Sequence, residues 1–186
     1  MRIVAGQFKG RPIVAPKTQA TRPTSDRARE SLFNVLAHAD WAPPLDGARV
    51  MDLFAGSGAL GLESLSRGAA LCLFVETAHA ARGAIRQNVE TLGLFGVTRV
   101  HRRSATDLGE KPAGSGDVFD LAFMDPPYHK GLVEPCLKSL VEGQWLADDA
   151  LVVVETAVDE TPDFSGWEIV NTREIGAAKI WFLKRA

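Results

Sequence analysis

The chain has 186 residues, 46% of them hydrophobic and 24% charged, with a formal net charge of −2 at pH 7. Those values exclude a disordered or fibrous chain, and the length suffices for one core without disulfides or metals. No apolar run approaches the ~18 residues needed to span a bilayer, and the N-terminus lacks the apolar stretch of a signal peptide. Cys72 and Cys136 have neither CxxC spacing nor a neighbouring His pair, so the expectation is a cytoplasmic protein with reduced thiols and no metal site.

The net charge conceals an asymmetry. Residues 1–30 carry seven basic side chains against Asp26 and Glu30, a balance of +5, which leaves −7 on the remainder. A basic arm on an acidic body is either a footprint for a polyanion or a solvated basic surface. Within the arm, Ile3-Val4-Ala5, Gly6, Lys9-Gly10-Arg11 and Ile13-Val14 predict a short β-hairpin with a basic tip. Thr24 and Ser25 can cap a helix starting near Asp26, with Leu32, Phe33 and Leu36 on one face. Ala42-Pro43-Pro44 divides this unit, residues 1–40, from a body over 45–186.

In the body, strand and helix patterns alternate. Val50–Phe54 predicts a strand, followed by a Gly-rich turn and a helix through about Arg67. Leu71–Glu76 is a second strand, and Ile85, Val89 and Leu92 recur on the helix after it. Further strands are expected near Thr98–Arg102, at Phe119–Met124 and at Leu151–Glu155, with a helix near Glu134–Glu142 before the last. Trp167–Thr172 and Lys179–Leu183 predict a closing hairpin whose final strand runs antiparallel. Such alternation of near-continuous apolar strands with helices predicts an α/β fold: a mostly parallel, twisted sheet of about seven strands, with helices on both faces.

Two motifs carry chemistry. Gly56-Ser57-Gly58-Ala59-Leu60-Gly61 matches G-x-G-x-x-G, and Glu76 follows twenty residues after Gly56, where an acid can meet ribose hydroxyls. Asp52 ends the first strand, four residues before Gly56. Its charge would repel a pyrophosphate at the helix N-terminus and attract the ammonium of an amino-acid-bearing ligand, which favours S-adenosylmethionine over a nicotinamide dinucleotide. A carboxylate that merely caps the turn is the alternative. Ser104–Asp107 can meet the adenine edge through Ala105 or Asp107, although Asp107 can equally cap a helix. The second motif, Asp125-Pro126-Pro127-Tyr128, empties directly from an apolar strand. Two prolines remove two backbone donors and stiffen φ, leaving either a rigid turn or a clamp for an amine on a flat ring.

With both motifs present, the chain resembles the Rossmann-like, S-adenosylmethionine-dependent amino-methyltransferases. Within them it is similar to the bacterial enzymes that modify the exocyclic N2 of a guanine in 16S ribosomal RNA. The resemblance also rests on Arg2–Gly6 with Gly10-Arg11, Arg22-Pro23-Thr24, Asp26-Arg27, Arg29-Glu30, Leu32-Phe33-Asn34, Leu62-Glu63, Ser66–Ala69 and Asn88. It implies a class I methyltransferase fold with an N-terminal hairpin extension that contacts RNA and covers the cofactor side of the cleft. It implies cofactor contacts from Thr24, Asp52, Ala55, Gly56, Gly58, Glu76, Thr77, Ala105 and Asp107. It implies catalysis by Asp125, Pro126, Pro127 and Tyr128, and RNA contacts by Lys9, Arg11, Arg22 and Arg27. The implied partner is 16S rRNA or the small ribosomal subunit, approached by a monomer. Ser104 departs from the Asp or Asn that such enzymes often carry toward the adenine.

In that reading the Asp125 carboxylate and the Pro126 carbonyl each accept one amine N–H. Tyr128 stacks on a base that must be splayed out to reach the pocket. Rival readings are another amine methyltransferase (DNA adenine-N6, another rRNA guanine, or protein glutamine), a nicotinamide oxidoreductase, and a non-catalytic RNA-binding module. Neither Asp52 nor the Asp-Pro-Pro-Tyr segment has a role in the oxidoreductase.

Overall fold

The computed structural model describes residues 1–17 and 24–186. After an irregular N-terminal arm come α1 (Asp26–His38), β1 (Arg49–Leu53), α2 (Ala59–Ser66), β2 (Leu71–Val75), α3 (His79–Leu92), β3 (Thr98–His101), β4 (Phe119–Met124), α4 (Val133–Glu142), β5 (Leu146–Ala157), β6 (Trp167–Ile175) and β7 (Ala178–Arg185). The strands form one sheet in the order β3-β2-β1-β4-β5-β7-β6. The first five are parallel, and β7 lies antiparallel between β5 and β6. A mostly parallel sheet with an antiparallel last strand is thus present.

Alternation along the strands divides the core into two layers. Val50, Phe74, Phe123, Val153 and Phe182 point to one face, under Phe33 of α1, Leu62 of α2 and Ile85 of α3. Met51, Val75, Met124, Val154 and Leu183 point to the other, under Cys136, Leu137 and Leu140 of α4. Helices therefore cover both faces, three against one, and Leu108, Trp145 and Phe164 complete the thinner layer. Both cysteines are buried and free.

The differences from expectation are local. Among the described residues of the N-terminal arm the expected hairpin has no named strands, but its two sides pair antiparallel through an Arg2–Pro12 bridge, with Ile3 N donating to Arg11 O at 2.9 Å and Ile13 N to Met1 O at 2.9 Å. The segment between those sides is tied to the body: Gln7 N donates to Ser66 O at 2.8 Å, beside Gly6 at φ +85°. A Cβ on Gly6 would lie 2.0 Å from that carbonyl. Ser25, rather than Thr24, caps α1, its hydroxyl accepting from Ala28 N at 3.0 Å. β5 starts at Leu146, earlier than its apolar centre suggests, because exposed Asp148 and Asp149 interrupt the apolar run ahead of a register shift opposite Phe119 and Leu121.

Candidate active site

The carboxyl ends of β1, β2 and β4 open into one cavity of about 580 Å³. Its wall combines Asp52, Phe54, Ala55, Gly56, Ser57, Ala59 and Leu60 from the β1–α2 turn, Glu76 and Thr77 after β2, and Asp125–Tyr128 after β4. Thr24 and the arm residues Met1, Ala15 and Pro16 close the remaining side. The volume is within the ~300–1,000 Å³ of small-molecule sites, and the position is where open parallel sheets bind ligands.

The turn after β1 owes its shape to backbone conformations that side chains rarely adopt. Phe54 has φ +58°, and Gly58, in a left-handed conformation at +80°, starts α2. Gly61 serves a different purpose. A Cβ there would approach Cys72 Sγ and the Phe74 ring to 2.5 Å, so its absence lets α2 settle against β2.

Asp52 is buried at 2% exposure, and its Oδ2 accepts the Gly61 N–H at 2.9 Å. It therefore caps the first turn of α2 while lining the cavity, uniting the two roles that sequence sets against each other. Burial pushes its carboxyl up to about 8, against the lowering influence of the Gly61 bond and with a further push from Glu76. Glu76 braces the same turn. Oε1 accepts from Gly56 N at 2.8 Å and Oε2 from Ala78 N at 2.9 Å, leaving the other lone pairs for a ligand.

Several expected contacts lie elsewhere. Gly58 is buried behind the turn, Ala105 belongs to the α4-side core, and Asp107 is 84% exposed beside Arg103; none lines the cavity. Lys9 and Arg27 are exposed. Arg11 is exposed too, and its Nη2 donates to Thr91 O at 3.1 Å, near the end of α3. Arg22 lies outside the described residues. Of the seven arm cations Arg29 is wholly internal, 2.9 Å from Asp26 and 3.6 Å from Glu63. Its charge adds nothing to the arm's outer face.

Two polar residues that carry no chemistry of their own hold the arm against the site. Buried Glu63 accepts from Val4 N at 2.9 Å, Ala5 N at 3.1 Å and Arg67 Nε at 2.9 Å. Asn88, also buried, pairs with both Val14 N (2.8 Å) and Val14 O (3.0 Å) and donates to Ser57 O at 3.1 Å. One amide thus joins the segment leading to Ala15 and Pro16 to the Gly-rich turn. A polar Asn on the otherwise apolar i, i+4, i+7 face of α3 is the signal that could have exposed this role.

Sheet order, the glycine turn and the acid-proline-proline-tyrosine segment on neighbouring strand ends define a Rossmann-like class I methyltransferase. More narrowly, the chain belongs to the family described as conserved hypothetical protein 95, whose model matches residues 1–184. It is 40% identical over 159 residues to the ribosomal RNA small subunit methyltransferase D of Escherichia coli K12, covering 86% of this chain and 76% of that protein. The protein of the same name from Haemophilus influenzae is 34% identical over 180 residues, 95% of this chain and 89% of the other. Among solved structures, yhhF from Escherichia coli superposes with a TM-score of 0.80 at 35% identity, covering 100% of this chain and 97% of that one. Among the described residues no helix is long and apolar enough to cross a membrane.

Proposed function

We propose that this protein transfers the methyl group of S-adenosylmethionine to the exocyclic N2 amine of a guanine in 16S ribosomal RNA, working in the cytoplasm on the small subunit or its RNA. The observation that carries this reading is that Asp125–Tyr128 and the Asp52–Gly56–Glu76 constellation wall one cavity. The residues fit the cofactor. The Asp52 and Glu76 carboxylates suit an ammonium and ribose hydroxyls. A dinucleotide fits poorly, because the Gly61 N–H that would meet a phosphate at the α2 N-terminus is already bonded to Asp52.

S-adenosylmethionine, when bound, supplies an electrophilic methyl group on a cationic sulfur. The chain's part is positioning. The Asp125 carboxylate and the Pro126 carbonyl accept the two amine protons, aim the nitrogen lone pair at the methyl carbon and raise its electron density. Pro126 and Pro127 cannot donate competing N–H groups, and Tyr128 supports the ring by stacking, worth about 1–3 kcal/mol. Bound S-adenosylmethionine would supply the methyl group and retain the electron pair of the broken C–S bond, and the nitrogen would release one proton to Asp125 or to water. Holding the reactants in line supplies most of the acceleration. Residues 1–40 form the RNA-contacting and cleft-covering unit, with Lys9, Arg11, Arg22 and Arg27 on flanking phosphates, and residues 45–186 form the catalytic body.

The test is incubation with labelled S-adenosylmethionine and, separately, naked 16S RNA, small-subunit particles, DNA and protein, followed by nucleoside and amino-acid analysis. N2-methylguanosine in small-subunit RNA is the expected product. Label in N6-methyladenine or methylglutamine instead would transfer the site to another amine acceptor.

A further inference from the structure

Asp125 has a neighbour that the mechanism above leaves unused. β4 and β5 pair in parallel with Phe123 opposite Val153 and Met124 opposite Val154, so Asp125, just past the end of β4, lies beside Glu155, which is still within β5 and opposite Ile180 of β7. Phe123 and Val153 face the α1 layer, and alternation places the two acids on that same side. Both line a slot of about 20 Å³, walled apart from Thr24 by apolar groups including Leu32, Ile175 and Ile180. Thr24, Leu60 and Asp125 line the slot and the main cavity alike, so the slot adjoins the cavity at Asp125. Glu155 is half-buried, and among the described residues its carboxylate engages no hydrogen bond or ion pair. A partly desolvated carboxylate against apolar walls gains strongly from a donor.

We infer that Glu155 is the residue that selects guanine, accepting the N1–H of the base while Asp125 holds the adjacent N2 amine. The assignment rests on the methyltransferase reading above and adds the identity of the base to it. Adenine and cytosine each present one amine beside a ring-nitrogen acceptor on the Watson–Crick edge. Guanine presents its amine beside a ring N–H. Two acceptors on adjacent strands therefore match guanine's paired donors, and set Glu155 against the lone pair of the other two bases. The slot holds one water-sized group, so it takes the edge of the base, and the ring stays in the wider cavity by Tyr128.

The test uses small-subunit particles carrying either guanine or 2,6-diaminopurine at the methylated position, once nucleoside mapping has located it. Diaminopurine keeps the N2 amine but has an acceptor at N1. The wild-type protein should methylate guanine ~10–100-fold better in kcat/KM, the range of one charge-assisted hydrogen bond. Glu155→Leu should lose a similar factor on guanine, while calorimetry gives an S-adenosylmethionine affinity within a few-fold of wild type. Glu155→Gln, whose amide can accept from N1–H or donate to N1, should recover guanine activity and raise the diaminopurine rate.

Equal methylation of the two bases by wild-type protein, or full guanine activity in Glu155→Leu, would overturn the assignment. Equal rates on the two bases with wild-type protein refute the assignment even if a variant does not fold, and the Glu155→Gln rate on diaminopurine ties a preference to this side chain. Absence of N2-methylguanosine from every RNA would instead refute the methyltransferase reading itself, so the two failures are distinguishable.

Discussion

Asp52→Asn separates the charge of the buried acid from its hydrogen bond. Asn can still offer Oδ1 to the Gly61 N–H, but it cannot ionise. In the wild-type protein, burial raises the carboxyl to about 8 from an ordinary 3.8. Between those values the folded protein keeps a proton that the unfolded chain has released, so stability falls as pH rises. The slope is about 1.4 kcal/mol per pH unit, beginning near the ordinary carboxylate value and ending near pH 8. From pH 5 to pH 7 the wild type should thus lose about 3 kcal/mol relative to the Asn variant. Urea unfolding of both proteins at several pH values between 5 and 9 measures the difference directly. A difference that does not change with pH would refute the account of Asp52 as a neutral acid in the free site. The same proton should be expelled when a cationic amino-acid tail docks, making the calorimetric binding enthalpy at pH 7 depend on the buffer's ionisation enthalpy.

Three further outcomes are expected. Asp125→Ala should abolish transfer and leave S-adenosylmethionine affinity within a few-fold; a large affinity loss on titration would move Asp125 out of the catalytic role. Joint replacement of Lys9 and Arg11 by Ala should weaken RNA binding and reduce the slope of log K against log salt by about 1.5, whereas an unchanged slope would place the RNA surface elsewhere. Asn88→Leu strips partners from Val14 and Ser57 and should cost about 2–4 kcal/mol in urea unfolding. In the folded fraction it should raise KM for S-adenosylmethionine with kcat nearly intact, and an unaltered KM would mean that the arm does not shape the cofactor wall.

Much of the architecture is legible locally. Strands such as Leu71–Val75 are apolar on both faces because both are covered, and the glycine turn and Asp125–Tyr128 are contiguous in sequence. What escapes is the product of long-range pairing. Glu63 and Asn88 gain their roles only through residues about 59 and 74 positions away, and no periodicity encodes such a partner. Arg29 counts as an arm cation in sequence yet is an internal one in space. Glu155 reads as the end of a buried strand, and its significance appears only when β4 is set beside it. The arm shows both kinds of contact: residues 1–3 and 10–13 pair locally with each other, while Glu63 and Ser66, far along the chain, hold the segment between them.

The stitching of the arm also orders events during synthesis. Residues 1–17 precede α2 and α3 in the chain, so they leave the ribosome well before Glu63, Ser66 and Asn88 exist to receive them. Whatever collapses early, the backbone amides of Val4, Ala5 and Val14 must wait in water until β1, β2 and the two helices between and after them have assembled. Contacts of such sequence separation form late because the intervening loop must first be closed. The cavity wall formed by Ala15 and Pro16 thus cannot be fixed before α3 has emerged, and a nascent chain ending short of Asn88 would still have an open site.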